Sequence, residues 1–182
     1  MNLNDWFQKG MTADEYTGSM TRNKEEMLSI YEHFKVEDEN KLVPLKSKQL
    51  RAIALTEDWC GDALLNNPIL LKVAESADID VRFVLRDQNL ELMDQYLTNG
   101  TSRAIPIYIF IDQEGNEVGV WGPRAREMQE LVEKERAALP DKEAADFEEK
   151  QRAMYKRLMT SYQTDETVWQ TVADSITAVL LK

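Results

Sequence analysis

Hydrophobic and polar residues recur at helical spacing in the first part of the chain. Between Thr21 and Phe34 the apolar side chains fall at positions i, i+3, i+4 and i+7, which places them on one face of an amphipathic helix. These side chains are Met27, Ile30, Tyr31 and Phe34. Shorter helices are expected before this one, with Asn4 and Thr12 as their N-cap residues. The pattern predicts a helical segment over residues 1–40, of which 21–36 belong to the core.

The middle of the chain alternates between strand and helix patterns. Short apolar runs, rich in β-branched and aromatic residues, predict four strands, at residues 51–55, 80–85, 105–111 and 117–121. Helical periodicity predicts helices between and after them, at residues 60–76, 90–97 and 124–139. Residues 112–116 are typical of a hairpin turn. The connector before the first strand contains Pro44, and Leu42-Val43 is expected to be at most a short extended piece.

This order of elements predicts the α/β class. A strand–helix–strand unit followed by a hairpin gives a mixed sheet with helices on both faces. Residues 41–139 therefore form the sheet-containing core. Residues 140–182 read as two further amphipathic helices, the second capped by Thr164, which we expect to pack on the core as a C-terminal extension.

Composition and charge limit the classes of partner that we expect this chain to bind. The chain has 182 residues, 43% of them hydrophobic, and carries a net charge of −11. Because its Lys and Arg are dispersed among Asp and Glu, we expect neither nucleic acid nor an anionic membrane as a partner. The N-terminal residues lack the features of a signal peptide, no stretch is apolar enough to span a membrane, and the single cysteine fits a reducing compartment. We therefore expect a cytoplasmic location.

The single cysteine, Cys60, is the leading candidate for chemistry. It stands where the first predicted strand gives way to a helix, so the helix dipole favours its reactive thiolate form. One cysteine and one histidine, His33, are too few for a structural zinc site. His33 lies on a predicted amphipathic helix, where a surface role is the simpler interpretation. No metal or organic cofactor is expected.

The residues around Cys60 resemble the active-site motif of the thioredoxin superfamily, Trp-Cys-Gly-Pro-Cys. Trp59, Cys60 and Gly61 match that motif, and Pro68 stands where relatives carry a helix-kinking proline. A second match is Ile105-Pro106, in the position of the family's cis-proline. The resemblance implies a thioredoxin-like fold with extra helices at both ends. The sequence looks most like uncharacterised bacterial thioredoxin-like proteins with Trp-Cys-Gly-Asp in this position.

The departures from the motif change the expected chemistry. Asp62 replaces the proline and Ala63 replaces the second cysteine, which relatives use to resolve the mixed disulfide. Ala54 stands where thioredoxins keep a buried carboxylate that accepts a proton from that second thiol. The sequence therefore predicts that this chain alone does not carry out dithiol exchange.

Two functions remain open. In the first, Cys60 forms mixed disulfides as a monothiol redox protein, with a protein, a peptide or a low-molecular-weight thiol as partner. In the second, the chain is a redox-inactive module that binds a protein or peptide. The pKa of Cys60 decides between them: the helix end lowers it, acidic neighbours including Asp62 raise it, and Arg103 is expected to offset them.

The resemblance also implies which residues surround the cysteine. Trp59 either stacks on a bound partner or covers the helix end. The backbone at Ile105 and Pro106 would pair with an extended peptide, together with Gly61 and Asp62 beside the cysteine. Trp121 and Arg124 follow the hairpin strand and would suit an anionic ligand if both are exposed, although a plain strand end explains them equally well. The oligomeric state stays open, with a homodimer as one option.

Overall fold

Four strands form one mixed sheet at the centre of the computed structural model, which describes residues 1–182. They are β1 (Arg51–Thr56), β2 (Asp80–Leu85), β3 (Ile107–Ile111) and β4 (Glu117–Trp121). The helices are α1 (Leu3–Lys9), α2 (Ala13–Ser19), α3 (Lys24–His33), α4 (Gly61–Ala77), α5 (Leu90–Met93), α6 (Arg126–Ala137), α7 (Phe147–Thr164) and α8 (Glu166–Leu180). Two 3₁₀ segments, Glu39–Lys48 and Arg86–Gln88, connect them. The α/β class expected from the sequence is confirmed.

The strand order in the sheet is β2-β1-β3-β4. β1 runs parallel to β2, with α4 as the crossover, and antiparallel to β3. β3 and β4 form the predicted hairpin. The Asp112 side chain closes its turn by accepting hydrogen bonds from the backbone N–H groups of Glu114 and Asn116. The mixed topology follows from this combination of one crossover and one hairpin.

Alternate residues of each strand enter two separate hydrophobic clusters, one on each face of the sheet. Ala52 and Ala54 of β1 face a cluster built with α3, α4 and α8, and the small alanine side chains let α4 approach closely. Ile53 and Leu55 face the opposite cluster, which is completed by residues of α1 and α5. Cys60 belongs to this second cluster.

Helix α4 is buried around most of its circumference. The sheet lies on one side of it and α3 and α8 on others, so a nearly continuous apolar sequence suits it. Its buried residues include the polar Asn66 and Asn67, and Pro68 stands within it. The helix ends at Asp78, which adopts a left-handed conformation with φ of 53°.

The N-terminal segment packs differently from the sequence expectation. Leu42 and Val43 lie in the 3₁₀ segment and not in a strand. The free edge of β2 is instead met by Met11, which forms an antiparallel bridge with Phe83. Asn2, not Asn4, caps α1, whereas Thr12 caps α2 as expected.

The last two helices contribute to the same core as the sheet. Helix α8 begins after Asp165, whose side chain accepts the Thr167 N–H, so the cap lies one residue beyond the expected Thr164. Apolar side chains from both helices join the larger cluster: Tyr162, Val168, Trp169, Val172, Ala173, Ile176 and Leu180. No helix of the structure combines the length and the apolar character needed to cross a membrane.

Candidate functional site

Cys60 is the N-cap residue of α4 and lies between the tip of β1 and the loop before β3. Its backbone is extended there, with φ of −81° and ψ of 124°. The side chain is only 8% exposed. Its Sγ lies 3.6 Å from the Ile105 carbonyl oxygen, to which the thiol donates a hydrogen bond. The thiol is therefore held inside the protein by a neutral S–H donor contact.

Opposing influences act on the ionisation of this thiol. Burial raises the pKa of Cys60, and the nearby Asp62 carboxylate raises it further. The backbone N–H groups of Ala63 and Asp62 and the charge of Arg124 lower it. The net result is a pKa above the ordinary value, so the thiol stays protonated at neutral pH.

A neutral hydrogen-bonded chain lies beside the position of the absent carboxylate. Ala54 is paired across the sheet with Tyr108. The buried Tyr108 hydroxyl donates to Asn67 Oδ1 at 2.7 Å, and Asn67 Nδ2 donates to Thr56 Oγ1 at 3.0 Å. Burial raises the pKa of Tyr108, so the hydroxyl stays neutral. This network of side chains is thus polar, but it contains no carboxylate to accept a proton.

Asp62, which replaces the motif proline, pairs with Arg124. Arg124 Nε lies 3.0 Å from Asp62 Oδ1, and its Nη2 lies 2.9 Å from Asp62 Oδ2. The Tyr162 hydroxyl donates to Asp62 Oδ1 at 3.3 Å, and Arg124 Nη1 donates to Gln129. These contacts join the start of α4 to α6 and α7. The two site residues expected to bind a ligand therefore bind each other.

The tryptophans expected at the site have different environments. Trp59 is 44% exposed, and the Arg86 guanidinium stacks over its ring at 5.0 Å. Trp121 is only 4% exposed, because α8 covers β4 on that face and Ser175 accepts the indole N–H at 2.8 Å. Trp121 also stacks on Tyr108. The expectation that Trp121 forms an exposed rim is therefore wrong, whereas Trp59 is available to a partner.

Arg103 does not act on the thiol. Its guanidinium forms a bidentate, exposed ion pair with Asp94, at 2.8 and 3.0 Å. The cation that lowers the pKa of Cys60 is Arg124, which reaches the start of α4 from the segment after β4. The sequence analysis assigned this role to the wrong arginine, because each lies within three residues of a predicted strand end and only the packing distinguishes them.

The loop before β3 contains the other matched position. The Ile105–Pro106 peptide bond is cis, and so is Gly122–Pro123 beside it. Gly122 has φ of +126°, and a Cβ there would lie 2.2 Å from the Pro106 carbonyl oxygen. Only glycine fits this contact. Ile105 and Pro106 are both buried, so their side chains belong to the protein interior next to Cys60.

Two acidic residues, Asp58 and Glu57, connect the Cys60 loop to neighbouring segments. Asp58 accepts hydrogen bonds from the backbone N–H groups of Thr21 and Arg22. Glu57 is buried and accepts the Asp87 N–H at 3.0 Å. Acidic residues before a helix give no sequence signal for such contacts, since the donors are distant backbone groups.

A cleft of about 440 Å³ opens beside Trp59. Its base contains Gly61, and Met159 of α7 packs so closely on Gly61 that a Cβ there would lie 2.8 Å from the Met159 Cε. His33 is exposed on α3, away from these residues, with Nδ1 2.7 Å from the Ser29 carbonyl oxygen. No group of three or more His, Cys, Asp or Glu side chains converges in a way that could hold a metal ion.

Comparisons with known proteins agree with the fold. A family model described as thioredoxin matches residues 10–143. Among solved structures, a protein of unknown function from Pseudomonas aeruginosa is 14% identical with a TM-score of 0.69, over 100% of this chain and 98% of that one. An HIV epitope scaffold is also 14% identical, with a TM-score of 0.67 and the same coverage. No curated protein matches the sequence.

Proposed function

Because the chain belongs to the thioredoxin family and its one cysteine is buried, we propose that it is a redox-inactive thioredoxin-fold module that binds a protein or peptide. The observation that carries this proposal is the hydrogen bond from the Cys60 thiol to the Ile105 carbonyl. A buried, neutral thiol in such a contact is a structural element and a poor nucleophile.

Two further features support a loss of thiol chemistry. Ala63 cannot resolve a mixed disulfide, and the side chains near Ala54 form a neutral network without a proton acceptor. Asp62 is paired with Arg124, and it also accepts a hydrogen bond from Tyr162 of α7. The second contact joins α7 to the start of α4. The alanines at positions 63 and 54 each remove one requirement of disulfide exchange and leave the fold intact.

Trp59 supports a retained binding role. It is the one tryptophan of the four with a large exposed surface, since Trp6, Trp121 and Trp169 are buried. An exposed tryptophan offers a large apolar contact area at low entropic cost, which is typical of binding surfaces. We therefore place the partner on the Trp59 side of the Cys60 loop.

A monothiol redox protein is the second candidate, and one observation favours it. The backbone N–H groups of Asp62 and Ala63 and the charge of Arg124 all act to stabilise a Cys60 thiolate. A movement that exposed the sulfur to water would remove the burial that now outweighs them. The Cys60 thiolate would then attack glutathione disulfide or a protein disulfide, forming a mixed disulfide and releasing the other sulfur as a thiol.

Exposure to glutathione disulfide distinguishes the two candidates. The native protein and the protein unfolded in urea are incubated with the disulfide, and the intact mass is measured. The binding-module proposal predicts no adduct on the native protein and a full glutathione adduct on the unfolded one, which shows that the thiol itself is competent. Rapid adduct formation on the native protein, absent in Cys60→Ser, would support the monothiol candidate instead.

A further inference from the structure

The cleft beside Trp59 extends from the turn at Trp59–Asp62 onto helices α6 and α7. It is bounded by the start of α4, by α6 and by α7, and its volume is about 440 Å³. That volume lies within the usual range of ligand sites, roughly 300–1,000 Å³. Helix α7, which forms one wall of the cleft, lies beyond the residues that the family model matches, whereas the rest of the lining lies within them.

Two exposed aromatic rings line the cleft. Trp59 is 44% exposed and Tyr155 of α7 is 42% exposed, and both lie on its wall. Leu158 and Met159 add apolar surface to the lining of the cleft. Large exposed aromatic side chains are uncommon on a protein surface, and here two of them border one concave site. The pair would suit an aromatic side chain of a partner by stacked or edge contacts.

The charges in the cleft are cationic, although the molecule as a whole is strongly acidic. Asp62 is the one carboxylate among the lining residues, and its charge is neutralised by Arg124. The second lining cation is Arg136 near the end of α6, which is exposed and whose guanidinium forms no ion pair or hydrogen bond. The cleft thus offers one free guanidinium, the group best suited to a carboxylate.

We propose that this cleft binds a peptide segment in which a carboxylate side chain stands beside an aromatic one. The carboxylate pairs with Arg136, and the aromatic ring lies between Trp59 and Tyr155. The inference rests on the proposed binding function and gives it a partner chemistry. Two observations support this partner: the unpaired guanidinium of Arg136 complements a carboxylate, and the rings of Trp59 and Tyr155 offer apolar surface.

The protein carries its own reporter for this binding. Since the other tryptophans are buried, a change in fluorescence on ligand binding arises mainly at Trp59. An acetylated, amidated hexapeptide with a central Asp-Phe pair is titrated into the full chain. Its Asn-Phe form removes only the charge, and its Asp-Ala form removes only the ring. We expect the Asp-Phe peptide to bind about tenfold more tightly than either control, the scale of one charge-assisted contact.

Two variants assign the contact to the cleft. Arg136→Gln should lose about tenfold in affinity for the Asp-Phe peptide and should no longer distinguish it from the Asn-Phe peptide. Lys134→Gln is the matched control, because Lys134 is exposed on the same helix, loses the same charge and does not line the cleft. Tyr155→Ala should weaken both aromatic peptides and leave the reporter in place.

The outcomes separate this inference from the proposed function. Equal affinity for the Asp-Phe and Asn-Phe peptides, or equal losses in Arg136→Gln and Lys134→Gln, would overturn the assignment of the carboxylate. Absence of any Trp59 response at about 1 mM peptide would overturn the site. Neither result depends on Cys60, whereas a native glutathione adduct would overturn the redox-inactive function whatever the peptides do.

Discussion

The protonation of the Cys60 thiol depends on a balance between two effects. Burial favours the neutral thiol, and a few short-range electrostatic contacts favour the thiolate. The helix N-terminus and Arg124 favour the thiolate, but the side chain has left water and donates to a carbonyl oxygen. Desolvation disfavours the full negative charge of a thiolate, whereas the helix N-terminus offers it only about half of a positive charge in return. A cysteine can therefore occupy the reactive position of a fold and still remain neutral.

Replacing Cys60 by Ser should remove a pH-dependent part of the stability. Because the pKa of the buried thiol is raised, its contribution is fully present below the unfolded pKa of about 8.5 and is lost as the pH rises through the folded value. The serine hydroxyl does not titrate there. Urea unfolding should show the wild type losing more stability than Cys60→Ser above about pH 8.5. Parallel profiles would mean that folding leaves the thiol pKa unchanged.

The ion pair of Asp62 with Arg124 should contribute measurably to stability. Both side chains are largely buried, at 16% and 17% exposure, so Asp62→Asn leaves the arginine poorly paired and should cost about 1–3 kcal/mol in the free energy of unfolding. Asp94→Asn is the control, since its pair with Arg103 is exposed and should contribute little. Equal effects in chemical denaturation would show that the Asp62 contact is a surface pair.

Helix α4 and helix α7 together define the site at the level of elements. Helix α4 presents Cys60 and Asp62 at its first turn, and α7 approaches that turn with Met159 and Tyr162. The close contact at Gly61 is allowed because no Cβ intervenes. A helix from the C-terminal extension therefore covers the end of the helix that carries the family motif.

The first turn of α4 should still support dithiol chemistry if a second thiol is supplied. Ala63→Cys places a thiol three residues after Cys60, one helical turn away, and should give slow reduction of insulin disulfides where the wild type gives none. Ala54 and its neutral surroundings should keep the rate low. Ala74→Cys is the control, because Ala74 is equally buried on the same helix but lies about four turns from Cys60, too far for a disulfide between them. Activity in both variants would reject a specific effect of position 63.

The sequence patterns predicted the helices and strands better than they predicted the contacts between them. The strands, α4 and the amphipathic α3 follow from periodicity, and the Trp59–Gly61 motif indicated the candidate site. The bridge at Met11 could not be predicted, since a single extended residue leaves no repeating pattern. Nor could the burial of Trp121 or the pairing of Arg124, because both depend on which surface α7 and α8 cover.

For the whole molecule, the C-terminal helices belong to the main core. One cluster of 32 buried residues includes side chains from the sheet, from α3 and α4, and from α7 and α8. The same helices supply Ser175 to the Trp121 indole and Tyr162 to Asp62. The site and the core thus share their supporting elements, so the extension cannot be lost without affecting both.

Deleting residues 140–182 should prevent cooperative folding. Each fully buried apolar side chain contributes about 1.5–3 kcal/mol, and losing the several that α7 and α8 place in the core would match the whole net stability of a typical domain, about 5–15 kcal/mol. The truncated chain should bind a hydrophobic dye and show no sigmoidal thermal transition by circular dichroism. A sharp transition near that of the full chain would show that residues 1–139 fold alone.

The central claim is that Cys60 is a neutral, protected thiol in a thioredoxin fold. The most direct test is the rate of Cys60 alkylation by iodoacetamide as a function of pH, followed by intact mass on the folded protein. The account predicts slow alkylation at neutral pH and an apparent pKa above the ~8.5 of a free thiol, with fast alkylation once urea unfolds the chain. Fast alkylation of the folded protein with a pKa well below that value would contradict it and identify Cys60 as an active nucleophile.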